Sequence, residues 1–303
     1  MSDRRPPSPS RRTGIGWDPA VRAHVDGTSR IAVLGDLDGQ TGWAKSIISQ
    51  VAARGIHTVL QVGDCGLLWP GRGDAATRDI ERACVEHDVR FAFIDGNHDP
   101  HARLRAVPVA SDGFARIAQH IFYIPRGARW NWEGRSFGAV GGAYSVDRDR
   151  RTEGVNLWAE LEEATTEDVN RLGPATLDIL LTHDAPAGVR LRGLRLSERS
   201  RLRSQAQRDL LRSVVDSTRP AFAIHGHWHQ RHTQVLHHSN GSRTVVVSLD
   251  QQYTPGSWVV VNLATMNIED PRTSAVAEPD SRSDVRTMVQ TSGEGARPWP
   301  TGS

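Results

Sequence analysis

The sequence IAVLGDLDGQ, residues 31–40, places two carboxylates directly after a short apolar run. Residues 31–34 are all apolar and are expected to form a buried strand, and Asp36 and Asp38 follow among glycines. In an extended segment, residues two positions apart point to the same side, so the two carboxylates share a face. Like charges this close repel each other, and we therefore expect a positive group between them, either a basic side chain or a metal ion.

The composition limits the classes of protein to consider. The chain has 303 residues and a formal net charge of +2, which argues neither for nor against nucleic acid as a partner. It has no run of about 18 or more apolar residues, so no membrane span is predicted. The N-terminal segment MSDRRPPSPSRR lacks the apolar core of a signal peptide, and Cys65 and Cys84 are too few for a disulfide framework. We expect a cytoplasmic protein.

Both ends of the chain differ in composition from its middle. Residues 1–13 are rich in Arg, Pro and Ser, and residues 268–303 contain few large apolar side chains. Such segments cannot bury enough apolar surface to fold, so both are predicted to be disordered tails. A single domain is expected over residues 14–267.

The first half of this domain alternates between strand and helix patterns. Strands are predicted at residues 31–34, 57–62 and 90–94, with amphipathic helices at 42–54 and 75–87 between them. Strands separated by helices at this spacing are typical of βαβ units and a largely parallel sheet.

The second half has a different pattern. Residues 120–145 read as short strands joined by tight turns, as in antiparallel hairpins. Further strands are predicted at 177–181, 221–224, 244–248 and 258–261, and helices at 166–172 and 200–215. The fold class is therefore α/β (α+β), with two mixed sheets and helices on the outside.

Polar side chains that can bind metal follow the predicted ends of five strands. The motifs are GDLDG at 35–39, GDCG at 63–66, DGNHD at 95–99, HDAP at 183–186 and HGHWH at 225–229. One such turn would be ordinary, but five at strand ends favour a site. The carboxyl ends of parallel strands form a ligand crevice, and carboxylates, an amide and imidazoles that converge there make a metal site with mixed oxygen and nitrogen donors.

These motifs resemble those of the calcineurin-like metallophosphoesterase superfamily. Its pattern is GDxHG, GDxx, GNHD or GNHE, a lone His, and GHxH, and the resemblance covers about residues 31–232. The segments GARWNW, GGAYSVDRDRR and LLTHDAPAG additionally resemble small phosphoesterases of actinobacteria and their phages. The resemblance implies a four-layer αββα sandwich and hydrolysis of phosphoesters, but it does not identify a substrate.

The resemblance also implies two divalent ions. We expect Mn²⁺, with Mg²⁺, Fe²⁺ or Zn²⁺ as alternatives. The ligands implied are Asp36, Asp38 and His229 for the first ion, Asn97, His183 and His227 for the second, and Asp64 as the bridge between them.

Asp38 departs from the family pattern, which has histidine at this position. Aspartate is negative and an oxygen donor, so it would shift the preference of the first ion toward Mn²⁺ or Mg²⁺. The alternative is that Asp38 is too short to reach the ion, and binds through water or orients a neighbour.

The family mechanism assigns further roles. A hydroxide held between the two ions attacks phosphorus, and His98 protonates the leaving alcohol. The family often orients this histidine with a group soon after the second motif, but residues 66–68 offer none. Arg148, Arg150 and Arg151 are expected to bind the phosphate.

Three functions remain open. The first is a metal-dependent phosphoester hydrolase that acts on a small phosphorylated substrate. The second is a nuclease or cyclic-nucleotide phosphodiesterase that uses the same site. The third is a non-catalytic binding module with a weakened first metal site, which only Asp38 supports. The Arg-rich residues 190–212 are interpreted as a solvated face rather than a basic rim.

Overall fold

A computed structural model describes residues 29–153, 161–193 and 195–271. The tail predicted at 1–13 and most of that predicted at 268–303 lie outside these ranges. The first half of the described chain contains β1 (Arg30–Leu34), α1 (Thr41–Ala52), β2 (Thr58–Gln61), α2 (Gly73–His87), β3 (Arg90–Phe93), α3 (His101–Ala106), β4 (Ala115–Arg116), β5 (Ile121–Tyr123), β6 (Arg129–Trp132) and β7 (Arg135–Val140). The second half contains a 3₁₀ turn (Arg148–Arg150), α4 (Thr166–Leu172), β8 (Ile179–Thr182), α5 (Glu198–Thr218), β9 (Phe222–His225), β10 (His232–His237), β11 (Arg243–Ser248), β12 (Trp258–Asn262) and β13 (Asn267–Glu269).

The strands form two mixed sheets. The first has seven strands in the order β13-β12-β1-β2-β3-β5-β4, in which β1, β2, β3 and β5 run parallel to one another. The second has six strands in the order β10-β11-β9-β8-β7-β6, in which β7, β8, β9 and β11 are parallel and the two edge strands are antiparallel. The prediction of two mixed sheets is confirmed.

The two sheets pack face to face with helices outside. Alternate residues of β1 show this, since Ile31 and Val33 belong to the core between the sheets, whereas Ala32 and Leu34 pack against the helices. Helices α1 and α2 cover the first sheet, and α5 covers the second. The result is the four-layer αββα arrangement.

The helices form where apolar residues recur at helical spacing. In α1 the buried residues Trp43, Ala44, Ile47, Ile48 and Val51 follow the i, i+3, i+4 pattern of one helix face. Helix α4 begins with a capping box, in which the side chains of Thr165 and Asp168 satisfy each other's backbone N–H groups.

The sequence interpretation differs from the structure in places. The pattern of residues 120–145 predicts antiparallel hairpins, and β5 does pair antiparallel with the preceding β4, but it also pairs in parallel with β3 and does not pair with β6, which lies in the second sheet. The hairpin of β6 and β7 is confirmed. Strand β13 extends two residues past the domain boundary predicted at residue 267. Within the described ranges, no helix is long and apolar enough to span a membrane.

Candidate metal centre

Three parallel strands of the first sheet end at one edge, and a predicted metal ligand follows each of them. Asp36 follows β1, Asp64 follows β2 and Asn97 follows β3. The first two loops are joined by the backbone, since the N–H groups of Leu37 and Asp38 donate to the carbonyl of Asp64 at 3.1 and 2.7 Å. The strand order therefore brings separate sequence motifs to one edge of the sheet.

The second sheet supplies the histidines. His183 follows β8, and His227 and His229 follow its parallel neighbour β9. The N–H of Gly226 donates to the carbonyl of His183 at 3.1 Å. The N–H of His227 donates to the two carboxylate oxygens of Asp36 at 3.0 and 3.2 Å, which connects the two sheets at this point.

Asp64, His183 and His227 form the core of the site. One ligating atom from each lies within 4.8 Å of the others. Nε2 of His183 is 3.4 Å from Oδ2 of Asp64, and its Nδ1 lies 2.8 Å from the carbonyl of Val62. Because a carbonyl only accepts hydrogen bonds, Nδ1 of His183 carries a proton and Nε2 is the atom presented to the site.

Asp36 and His229 form the second part of the site. Nε2 of His229 is 2.9 Å from Oδ2 of Asp36. The carboxylate is fully buried, whereas the His229 side chain is 41% exposed. The site therefore opens to solvent on the side of His229.

Two of the motif glycines allow the backbone to approach the carboxylates. A Cβ atom at Gly96 would collide with Oδ1 of Asp64, and one at Gly226 would collide with Oδ1 of Asp36. This close approach explains why a glycine precedes the predicted ligands in the third and fifth motifs.

Four of the predicted ligands have a left-handed backbone. The φ angles are 47° at Asp38, 55° at Asp64, 67° at His227 and 49° at His229. Such conformations are uncommon for residues other than glycine, and they concentrate where the surrounding structure fixes a functional geometry. Their grouping at this edge is consistent with a site rather than with ordinary turns.

Asn97 and His98 lie next to the residues of this core, Asn97 against His183 and His98 against Asp64. Oδ1 of Asn97 is 3.0 Å from Nε2 of His183. The N–H of His98 donates to Oδ1 of Asp64 at 2.8 Å, and Nε2 of His98 is 3.7 Å from Oδ2 of the same carboxylate. His98 is held at the edge of the predicted centre, within reach of a group bound there.

Asp38 is close to the other two carboxylates. Burial and the charges of Asp64 and Asp36 raise the pKa of Asp38 to about 8, although the nearby His229 acts in the opposite direction. A carboxyl group among like charges and away from water favours its neutral form unless a cation compensates. The group therefore experiences the repulsion that the first motif predicts. Whether Asp38 ligates directly stays a prediction.

The three carboxylates in turn perturb the histidines. Although burial favours the neutral ring, the charge of Asp64 raises the pKa of His183 to about 10. Burial likewise opposes protonation of His229, but its hydrogen bond to Asp36 raises the pKa of that ring to about 9. His227 differs, because burial and the positive charge of His183 hold its pKa well below the usual value.

The three predicted phosphate-binding arginines lie in different surroundings. Nη2 of Arg151 is 2.6 Å from Nε2 of His98, and it also pairs with Asp147 at 2.7 Å. Arg148 instead lies over the ring of Tyr144, with its guanidinium carbon 5.2 Å from the centroid, and Arg150 is exposed. The structure thus brings Arg151 to His98, the residue whose orienting partner the sequence does not reveal.

Sequence reasoning missed Asp99 as a contributor to the site. Its buried carboxylate accepts from the N–H groups of Gly96, Gly66 and Cys65 at 2.8, 2.9 and 3.2 Å, and so joins the second and third motifs. The available signal was its place as the last residue of the third motif. Cys65 beside it is a buried thiol whose pKa is raised by burial, which agrees with its interpretation as a small apolar residue.

The residues at this edge fit divalent ions. Among the residues that the structure describes, the buried Nε2 of His227 has no hydrogen-bond partner, so this atom is available to a cation. Asp36, Asp38 and Asp64 bring three carboxylates together, and a cation bound among them would offset the burial and like charges that raise the pKa of Asp38. Carboxylate, amide and imidazole donors together suit first-row divalent metals.

The fold and the site together define a hydrolase of phosphoesters that depends on metal. A family model described as calcineurin-like phosphoesterase matches residues 29–231. The chain belongs to this family, whose members depend on two metal ions. Comparison with curated proteins finds no match.

Comparison with solved structures finds several that are similar to the chain. One matches with a TM-score of 0.52 and 16% identity over 80% of this chain and 98% of its own. The protein TT1561 of Thermus thermophilus has a TM-score of 0.48 and 14% identity over 80% and 97% of the two chains. A dimetal phosphatase from Danio rerio has a TM-score of 0.47 and 11% identity over 77% and 92%. At these identities the likeness concerns the fold alone.

Proposed function

We propose that the protein hydrolyses a small phosphorylated substrate with two divalent ions, held by the seven ligands that the motifs predict. The observation that supports this most is the convergence of Asp64, His183 and His227, whose ligating atoms lie within 4.8 Å of one another. Mn²⁺ is the preferred ion in this proposal, because oxygen donors accompany the imidazoles and Asp38 adds a further carboxylate.

In this proposal the chain positions the substrate and moves one proton. When bound, a pair of divalent ions lowers the pKa of a water molecule and neutralises negative charge on the phosphoryl group. His98 then donates a proton to the leaving alcohol from Nε2, the atom that lies 3.7 Å from Asp64.

Arg151 has two roles in the proposal. Its guanidinium donates to Nε2 of His98 at 2.6 Å, so that nitrogen accepts and the ring is neutral in this arrangement. A phosphate oxygen pair would compete for the guanidinium, since arginine binds phosphate with two parallel hydrogen bonds. Substrate binding would thereby release Nε2 of His98 to carry the proton. Arg148 and Arg150 would add positive charge to the rim.

The experiment that tests this function compares two substrates. Protein supplied with Mn²⁺ is assayed with p-nitrophenyl phosphate and with bis-p-nitrophenyl phosphate, and its metal content is measured by elemental analysis. We expect hydrolysis and about two ions per chain, both lost in Asp64→Asn because the bridging carboxylate is shared. The matched control is Asp178→Asn, a carboxylate that binds Ser136 at 2.7 Å on the second sheet.

The outcomes separate the three functions. Faster hydrolysis of the monoester supports a phosphatase, and faster hydrolysis of the diester supports the nuclease or phosphodiesterase alternative. Folded protein that binds two ions and cleaves neither ester contradicts the catalytic proposal and favours the binding module.

A further inference from the structure

The amide of Asn97 is held by hydrogen bonds that the five motifs do not predict. Its Nδ2 donates to Oγ of Ser145 at 2.9 Å, and Oγ of Ser145 donates to Oε2 of Glu162 at 2.7 Å. All three residues are buried, with at most 1% of their surface exposed. Ser145 lies in the loop after β7, and Glu162 precedes α4, so the contacts join three distant parts of the chain.

The hydrogen bonds that run from Asn97 through Ser145 to Glu162 form a relay, and its direction follows from the number of hydrogens that each group can donate. A serine hydroxyl has one hydrogen to donate, and a carboxylate can only accept. Because Ser145 gives its hydrogen to Glu162, its oxygen can only accept from Asn97, which must therefore present its NH₂ group. A reversed amide would place two acceptors against each other. The carbonyl oxygen Oδ1 is thereby turned toward the metal centre, 3.0 Å from Nε2 of His183.

Glu162 is itself fixed in place. Its Oε1 accepts from the N–H of Ser145 at 3.2 Å and lies 3.9 Å from Nη1 of Arg148. Its backbone carbonyl accepts from Arg126 at 3.1 Å and from the N–H of Ala143 at 2.9 Å. Burial raises the pKa of Glu162, but the hydrogen bonds from Ser145 and the charge of Arg148 favour the ionised form. The carboxylate therefore uses Oε2 for the Ser145 hydroxyl, and Oε1 for the Ser145 N–H and Arg148.

We propose that Ser145 and Glu162 are positioning residues that lock the amide of Asn97 with its oxygen toward the second metal ion. The inference rests on the proposed function in that it takes Asn97 to be a metal ligand. Partners that orient metal ligands in this way typically contribute about 10–100-fold to metal affinity.

The decisive variant is Glu162→Gln, which keeps the size of the side chain. Its carbonyl oxygen would stay with the N–H of Ser145 and with Arg148, and its NH₂ group would then face Oγ of Ser145. The serine would accept from this NH₂ and turn its hydrogen toward Asn97, which reverses the relay. We expect calorimetric titration of the full chain with Mn²⁺ to show one ion weakened by about 10–100-fold, and the other unchanged.

A second substitution should restore metal binding in the variant whose relay is reversed. Asn97→Asp presents carboxylate oxygens on both sides, and in the parent chain one of these faces a serine oxygen whose hydrogen is already used. In combination with Glu162→Gln, the serine hydrogen is available to that carboxylate. We therefore expect the double variant to bind the second ion more tightly than either single variant, a coupling that loss of packing would not produce.

Controls separate positioning from general stability. Ser136 donates from both its N–H and Oγ to Asp178, as Ser145 does to Glu162, so Asp178→Asn is the matched change and should leave both ions unaffected. Ser145→Ala, which leaves the amide without an acceptor, should weaken the same ion as Glu162→Gln. The inference is overturned if both variants bind two ions as the parent does, or if Glu162→Gln weakens both ions equally while lowering the melting temperature. A parent chain that binds no Mn²⁺ would instead contradict the proposed function.

Discussion

His98 is the residue whose chemistry can be isolated most cleanly, because its backbone N–H and its ring both lie against Asp64 without ligating any predicted ion. We predict that His98→Ala keeps its metal and loses roughly 10²–10⁴-fold in turnover of an alkyl phosphate. The loss should be much smaller with p-nitrophenyl phosphate, since p-nitrophenolate leaves without a proton. Steady-state rates with the two esters test this, and an equal loss for both would show that His98 is not the acid.

Arg151→Met tests the side chain that contacts His98. It removes the guanidinium that contacts Nε2 of His98 but keeps an unbranched side chain. If Arg151 binds the phosphate, KM for either ester should rise while the metal content stays at the parent value. A change in kcat alone would instead indicate that Arg151 only orients the histidine.

Asp38 is expected to lower the stability of the metal-free protein and to raise that of the metal-bound protein. Its pKa is raised to about 8, so the folded metal-free protein loses stability as pH rises above the ordinary aspartate value, and the loss is complete above about 8. We predict that Asp38→Asn, which tolerates the left-handed backbone, melts higher than the parent without metal at alkaline pH. With Mn²⁺ the order should reverse if Asp38 is a ligand.

A second variant at this position tests metal choice. Asp38→His restores the ligand type of the family pattern and should shift preference toward Zn²⁺ or other ions that favour imidazole. Calorimetric titrations with Mn²⁺ and Zn²⁺ measure the shift. Unchanged affinities in both Asp38 variants would remove Asp38 from the ligands and leave the other six.

A buried ion pair holds the end of β3 against the segment before α4. Arg126 binds Asp95 through Nε at 2.8 Å and Nη2 at 2.6 Å, and it donates to the carbonyls of Leu161 and Glu162. Despite burial, the positive charge of Arg126 holds the pKa of Asp95 well below its usual range. The pair therefore fixes two elements on which the relay from Asn97 depends.

We predict that Arg126→Met is strongly destabilising. It leaves the buried carboxylate of Asp95 without its cation, which costs about 3–5 kcal/mol in comparable pairs. The control is Arg129→Met, since Arg129 donates to the backbone carbonyls of Ala175 and Thr176 at an exposed position. Urea denaturation of the two variants measures the difference, and similar losses of unfolding free energy would contradict the role assigned to the pair.

Helix α4 and strand β5 show where sequence reasoning succeeds and where it fails. The sequence predicts helix α4 with the bounds that the structure has, because its capping box and apolar spacing are local signals. It does not predict the parallel pairing of β5, since three residues carry no information about which strand lies beside them.

The same distinction between local signals and contacts of distant residues applies to the site. The five motifs could be recognised because each follows a strand within a few residues, and the sheet order then brings them together. The relay through Ser145 and Glu162 and the pair of Asp95 and Arg126 could not be, because their partners are separated by 17 to 48 residues with no periodic pattern between them. Sequence thus revealed the proposed ligands, and structure was needed to find what holds them.

The whole set of ligands leads to one further prediction about protons. In the metal-free chain the pKa values are raised to about 8 for Asp38, about 9 for His229 and about 10 for His183. At neutral pH the Asp38 carboxyl is therefore neutral, and the two rings are imidazolium ions. A metal ion binds only the deprotonated forms, and its binding must therefore release these protons. We predict that Mn²⁺ affinity rises with pH from about 6 to 9, and that more than one proton per chain is released at neutral pH.

Calorimetric titration with Mn²⁺ at one pH in two buffers, Pipes and Tris, measures the release, because the buffers differ in their heat of ionisation. The difference in observed heat between the two buffers gives the number of protons. Mn²⁺ should also raise the melting temperature more at pH 8 than at pH 6, since stabilisation by a ligand follows its affinity for the folded state. Equal heats in both buffers would show that the ligands are already deprotonated, and that the carboxylates and histidines do not share protons as the distances at this edge imply.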